Sequence, residues 1–376
     1  MIIFKPYLNK QKILKNIKNC LDSTYVATAG KFIKIFEKKI AKYTASKFVN
    51  LTNSGSSALH ATFLSLGVKK GDTVIIPSYN FIASTNATYL CGAKIWYVDI
   101  SHKNLCMDMD KLELILKDKT YFDSNGKTRL KKDSSLIKLV CPTTAHGSFP
   151  DLKKLNNLKK KYKFFVVLDS AGSIGCEYDN KKLGQLNCDA SILSFNGNKL
   201  MTSSAGGAVL TSSKKLHDKI NLLIANGRKN INYEIFSIGF NYRMSNIQAA
   251  IGCAQMDDLK NILKEKKRIY EYYLNNIKNS KVTLKLNVDC TKKNFWFPYL
   301  EMSTKNKSME LLKLLQSNNI HTFITWTYLS NYSIHKKFSS SIENTNLDKR
   351  IIPLPTAHTL KRNQLKKIVK IINSIL

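Results

Sequence analysis

Residues 164–172 read Phe164-Phe165-Val166-Val167-Leu168-Asp169-Ser170-Ala171-Gly172, and residues 190–199 read Ala190-Ser191-Ile192-Leu193-Ser194-Phe195-Asn196-Gly197-Asn198-Lys199. Each is a short apolar run that stops at a polar turn, the pattern of a buried strand with a loop at its carboxyl end. Working outward, similar runs at 73–77, 94–98, 136–141 and 207–211 alternate with amphipathic helical stretches. That rhythm predicts βαβ units and a largely parallel sheet. Residues 9–21 and 30–43 carry apolar residues at helical spacing ahead of the sheet. From about Gln248 a long charged helix runs through Leu259, Leu263, Ile269 and Tyr273 and leaves the sheet. A strand-like stretch at 295–302, a helical one at 308–317 and an amphipathic helix from Leu365 follow. The expected architecture is α/β: a large domain over 1–250, with a mostly parallel central sheet flanked by helices, and a smaller α+β domain over 251–376.

With 376 residues, 43% of them hydrophobic, the chain can bury a large core, and length alone suggests two or three domains. Its formal charge of +34 is the compositional oddity. Such a balance suits an anionic partner, but the lysines are spread through almost every segment and no basic, aromatic-interleaved module stands out. The plain reading is a solvated lysine- and asparagine-rich surface, so no nucleic-acid partner is expected; a basic field would still help attract a diphosphate substrate. Eight cysteines at 20, 91, 106, 141, 176, 188, 253 and 290 form no C-x-x-C pair and read as reduced thiols. The seven histidines show no H-E-x-x-H spacing, and no catalytic metal is expected. The opening MIIFKPYLNKQK has only a short apolar patch before Lys5 and Pro6, and the densest apolar run, 164–168, is far too short to span a bilayer. A cytoplasmic protein without a membrane partner is the expectation.

Three places carry candidate chemistry, and in an open parallel sheet ligands bind beyond the carboxyl ends of the strands. The stretch Asn53-Ser54-Gly55-Ser56-Ser57-Ala58-Leu59-His60 is a small-residue turn that opens a helix. Free N–H groups and the helix dipole there favour a phosphate, although a serine-rich cap is also a common structural feature. Asp169 ends a buried strand, where a carboxylate binds a metal, caps a turn or pairs with a ring nitrogen. Lys199 lies beyond another strand end among small polar residues, which suits a nucleophile reaching into a cleft, yet most lysines of such a chain are solvated surface. Spacing changes that balance: Asp169 and Lys199 stand 199 − 169 = 30 residues apart, each at a predicted strand end.

Six ordered stretches now matter together: N-S-G-S-S-A-L-H at 53, G-D-T-V-I-I-P-S-Y-N-F-I-A-S at 71, G-A-K-I-W-Y-V-D-I at 92, L-D-S-A-G at 168, S-F-N-G-N-K at 194 and G-F-N-Y-R-M-S-N-I-Q-A-A at 239. The chain resembles the DegT/DnrJ/EryC1/StrS sugar-nucleotide aminotransferases, which have the type I (aspartate aminotransferase-like) fold of PLP-dependent transferases. The resemblance implies that Lys199 forms the Schiff base with pyridoxal 5'-phosphate and shuttles the proton, and that Asp169 pairs with the pyridine nitrogen. It also implies that Phe81 stacks on the ring, that Ser56, Ser57 and Ser194 hold the phosphate, and that Asn241 reaches the same phosphate from a second subunit of a homodimer. Without it, Phe81 reads as an ordinary core aromatic. Tyr242, Arg243 and Trp326 would lie near the substrate.

The implied reaction moves an amino group, by way of pyridoxamine phosphate, from glutamate to the keto carbon of a nucleotide-linked keto-deoxy sugar used in surface glycans or glycoproteins. The wording around Lys199 and at 239–247 most resembles the branch acting on UDP-4-keto-6-deoxy sugars for bacillosamine- or legionaminic-type sugars. Departures are Gly172, where relatives commonly have Gln, His or Glu, Thr144, where many have histidine, and Phe323, where arginine is frequent. A PLP-dependent dehydratase of the same family is the alternative, but those members replace the lysine by histidine. A PLP-sensing regulator would need a DNA-binding module, for which the chain before Asn53 is too short.

Overall fold

The computed structural model describes residues 5–229, 234–286, 288–336, 338–342 and 347–375. The first four residues of the opening stretch read above for a leader therefore lie outside the described residues. Strands are β1 (Phe48–Thr52), β2 (Asp72–Pro77), β3 (Lys94–Val98), β4 (Thr120–Phe122), β5 (Thr128–Leu130), β6 (Leu136–Val140), β7 (Phe165–Asp169), β8 (Ala190–Ser194), β9 (Gly207–Thr211), β10 (Val282–Lys285), β11 (Tyr299–Met302), β12 (Ser339–Ser341) and β13 (Ile351–Pro353). Helices are α1 (Lys10–Asp22), α2 (Lys31–Thr44), α3 (Gly55–Ser65), α4 (Ala83–Leu90), α5 (Met109–Lys119), α6 (Leu152–Tyr162), α7 (Lys214–Ile224), α8 (Asn246–Asn276), α9 (Lys305–Ser317) and α10 (Arg362–Asn373).

One sheet has ten strands, with the main path β1-β9-β8-β7-β6-β2-β3-β12 and the β4–β5 hairpin joined at β6. From β8 to β12 every neighbour on that path is parallel. At the other end β9 runs antiparallel to β8, and β1 antiparallel to β9. Alternation along β7 shows how the strand order makes two apolar layers: Val166 and Leu168 join Phe36, Val140 and Leu193 on one face, while Val167 joins Leu59, Phe63 and Ile192 on the other. The second sheet, β10-β11-β13, packs with α9, α10 and the distal half of α8 through Leu300, Leu311, Ile269, Tyr273 and Ile368. Helix α8 thus touches both cores. Its start is fixed by Ser245, whose hydroxyl accepts from the Gln248 N–H while the Gln248 side chain accepts from the Ser245 N–H.

The apolar runs read as strands are strands, within a residue or so at each end. The short strands β4, β5, β10 and β13 were not read from the sequence, and three further elements depart from the reading. Strand β1 was not expected, because Asn50 interrupts its apolar run; Asn50 is fully buried, and its amide donates to the His217 carbonyl and to Asn221 Oδ1. Strand β12, three serines against β3, carries no strand signal at all. The stretch 295–302 is a strand only from Tyr299, since Phe295 takes a left-handed turn (φ 56°) that carries residues 296 and 297 inward. No helix among the described residues is long and apolar enough to cross a membrane.

Candidate active site

Strands β6, β7 and β8 are parallel neighbours, so the loops after them meet at one edge of the sheet. Asp169 is the last residue of β7. Its N–H donates to the Pro142 carbonyl at 2.9 Å, its own carbonyl accepts from the Thr144 N–H at 2.9 Å, and its Oδ1 accepts from the Ala171 N–H at 3.3 Å. The side chain is only 4% exposed. Burial raises its proton affinity, and the nearby Lys199 amine and the Ala171 N–H oppose that rise. Lys199 follows β8 in a loop pinned by Phe195, whose N–H donates to the Gly206 carbonyl and whose carbonyl accepts from the Ser203 N–H and the Thr202 hydroxyl. Burial lowers the proton affinity of the Lys199 amine, and Asp169 opposes it. The expected pair is therefore together, each partner moderating what burial does to the other.

The third candidate closes the same space. Ser54 caps α3 by accepting from the Ser57 N–H, and the N–H groups of the helix's first turn have no intrahelical acceptor. Glycine is required where this turn meets the sheet: a Cβ on Gly207 would stand 2.6 Å from the Ser54 carbonyl carbon and oxygen. Ser56 and Ser194 line the resulting cavity, which measures about 980 Å³ and also takes in Asp169, Lys199 and Phe81. Ser57 does not line it with these; its hydroxyl donates to Asn53 Oδ1 at 2.6 Å. Phe81 is 57% exposed, so it is no core aromatic.

An aromatic wall stands opposite. Trp326 stacks on His146 (centroids 4.7 Å, planes 23° apart), and His146 stacks on Phe297 (4.3 Å, 11°). Burial first, and the Lys199 charge second, push the His146 imidazole down to about 3, which makes it a neutral ring at physiological pH. Thr144 occupies the edge of the cavity and shares a hydrogen bond with the Ser173 hydroxyl at 2.6 Å. Phe323, Gln316, Tyr332 and Lys349 line the same cavity.

Asn241, Tyr242 and Arg243 do not line this cavity within the chain. They run beside the start of α3: the Asn241 carbonyl accepts from the Asn53 amide, the Tyr242 hydroxyl shares a hydrogen bond with His60 at 3.2 Å, and Arg243 donates to the Thr28 hydroxyl at 3.1 Å. Sequence reasoning missed His146, Trp296 and Phe297. His146 stands two residues after Thr144 and could have been flagged by that proximity; Trp296 and Phe297 reach the site only through the turn at Phe295, which no local pattern announces.

Residues 8–373 match the DegT/DnrJ/EryC1/StrS aminotransferase family. The chain is 33% identical to the GDP-perosamine synthase of Caulobacter vibrioides over 68% of its own length and 65% of that protein's. It is 32% identical to the UDP-4-amino-4,6-dideoxy-N-acetyl-beta-L-altrosamine transaminase of Campylobacter jejuni over 66% of its length and 62% of that protein's. The matched part thus spans slightly less than two thirds of each of these curated relatives. Among solved structures, the PLP form of Spr1654 from Streptococcus pneumoniae superposes with a TM-score of 0.86 at 20% identity, over 100% of this chain and 98% of that one.

Proposed function

Starting from the fact that this chain belongs to the DegT/DnrJ/EryC1/StrS aminotransferase family, we propose that it moves an amino group from glutamate to C4 of a nucleotide-linked 4-keto-6-deoxy sugar. The observation that carries the reading is the convergence in one cavity of a buried carboxylate, an amine of lowered proton affinity and the open first turn of α3. These are the three groups that pyridoxal phosphate needs, one each for its ring nitrogen, its aldehyde carbon and its phosphate, so the residues present fit that cofactor.

In this reading the N–H groups at the start of α3, with the hydroxyls of Ser56 and Ser194, hold the phosphate. Ser57 acts there through its place in the first turn, since its hydroxyl is engaged by Asn53. Phe81 covers one face of the ring. Asp169 keeps a proton on the ring nitrogen, because a carboxylate buried beside that site is most stable with a cation opposite it. When bound, the cofactor supplies an electron sink for the bond pair left behind as a proton leaves the carbon that bears nitrogen. Lys199 Nζ takes up that proton from the donor and later returns one to C4 of the sugar; lowered proton affinity suits both roles at neutral pH. The neutral His146 and the Trp326 and Phe297 rings exclude water from this side.

Gln316, Tyr332 and Lys349, which line the same cavity, would receive the nucleotide diphosphate, with the Lys349 amine opposite its charge. UDP is the nucleotide favoured by the wording around Lys199. Trp326, which lines the same cavity, would touch the sugar. Asn241, with Tyr242 and Arg243, would serve the neighbouring subunit's cavity in a homodimer. The same reading takes residues 1–250 as the cofactor-binding domain and 251–376 as the smaller one, places the enzyme in the cytoplasm, and assigns its product to surface-glycan or glycoprotein sugars.

Incubation with ¹⁵N-glutamate and a panel of UDP- and GDP-linked 4-keto-6-deoxy sugars tests the proposal. A nucleotide amino sugar carrying ¹⁵N is expected in the mass spectrum, with the UDP series preferred. Loss of water from the sugar with no use of glutamate would mean the dehydratase.

A further inference from the structure

Gly172 stands where a side chain was expected to meet the cofactor, and the structure shows what took its place. A Cβ added there would fall 2.2 Å from Cζ3 and 2.7 Å from Cε3 of Trp296, distances no side chain tolerates. The indole is only 5% exposed, and its Nε1–H donates to the Asn198 carbonyl at 2.9 Å. Lys199 Nζ lies 4.8 Å from the centroid of the same ring. Asn294 fixes the other end of this arrangement. Its amide donates to the carbonyls of Gly172 (2.8 Å) and Ile174 (3.1 Å), and its Oδ1 accepts from the Trp296 N–H (3.1 Å). Behind the ring, the Trp296 carbonyl accepts from the Thr356 hydroxyl, and Thr356 in turn accepts from the buried Lys266 amine through its carbonyl and hydroxyl.

We infer that Trp296 is a positioning residue for Lys199, clamping the loop after β8 against the loop after β7, and that Gly172 is small because the indole fills its side-chain space. Pairing of β7 with β8 ends at Asp169 and Ile192, and the Ser170 hydroxyl adds a bond to the Ile192 carbonyl; beyond that point one rigid ring joined to both loops holds the spacing of the carboxylate and the amine. The ring's electron-rich face also gives the Lys199 cation a partner that does not compete for its hydrogen-bonding positions as a carboxylate would. What Lys199 does depends on the aminotransferase reading, whereas where Trp296 sits does not.

The test compares the wild type with Trp296→Phe, Gly172→Ala and the double variant. In cofactor-free protein, hydrogen exchange of the peptide covering 196–201 should quicken about fivefold to tenfold in Trp296→Phe, the effect of one lost buried hydrogen bond. With pyridoxal phosphate added and borohydride used as the trap, the fraction of cofactor fixed on Lys199 per folded chain should fall in both single variants. A merely structural tryptophan would lower the melting temperature and leave that fraction alone. Because the clash needs the larger ring, Gly172→Ala should cost nothing further once residue 296 is Phe. If Trp296→Phe fails to fold, Trp296→Tyr carries the same comparison. Unchanged exchange at 196–201, or an equal cost of Gly172→Ala in both backgrounds, overturns the clamp. If exchange responds while no cofactor is trapped on wild-type Lys199, the clamp stands and the aminotransferase reading falls.

Discussion

Lys199→Ala should lose at least about four orders of magnitude in aminotransferase turnover, while the fold and non-covalent cofactor binding survive. The amine has two jobs in this account, bonding to the cofactor and moving the proton, and removing a nucleophile that also serves as base leaves neither. Steady-state rates with glutamate and the keto sugar, normalised to bound cofactor, check this. The same variant tests the shared site. In a two-fold dimer each subunit gives Asn241 to its partner and receives its partner's. Mixed with an Asn241→Asp chain, which sets a carboxylate against the phosphate, it forms heterodimers with one doubly damaged site and one intact site. Equal mixing and full exchange should restore about a quarter of the wild-type activity, because half the dimers are mixed and each has one working site. Two inactive parents that stay inactive in verified heterodimers would put Asn241 elsewhere.

Asp169→Asn comes next in size. An amide cannot balance a protonated ring nitrogen, so the electron sink weakens and the rate should fall by about three orders of magnitude, on the order of 4 kcal/mol of transition-state energy. Position is preserved, since the backbone of residue 169 is held by Pro142 and Thr144 irrespective of the side chain. The loss should therefore appear in kcat, with the melting temperature little changed. Because the Asp169 and Lys199 charges support one another against burial, the variant should also lower the proton affinity of Lys199 further. An unchanged rate would show that the carboxylate serves another purpose.

How much of this could be read in advance follows from what kind of contact makes each part. Asp169 and Lys199 were legible because an uninterrupted apolar run that stops at a polar residue marks a strand end, and a parallel sheet brings such ends together. The start of α3 was legible for the same local reason: Ser54 and the glycine and serine after it are a cap written in consecutive residues. Strand β1 was hidden by Asn50, whose buried amide is satisfied by α7, far away in sequence. The wall of His146, Phe297 and Trp326 comes from three separate segments and depends on two left-handed residues, Phe295 (φ 56°) and His146 itself (φ 51°). Gly172 looked like a missing contact; only the packing of Trp296 into its space shows it to be one half of a contact made from the other end of the chain.

One measurement addresses the central claim most directly. The protein is loaded with pyridoxal phosphate, reduced with borohydride, digested, and searched by mass spectrometry for the cofactor on each of its lysines. The account predicts the adduct on Lys199 of the S-F-N-G-N-K stretch, and its disappearance when glutamate is added before the borohydride. Cofactor fixed on another lysine, or on Lys199 regardless of glutamate, would contradict it.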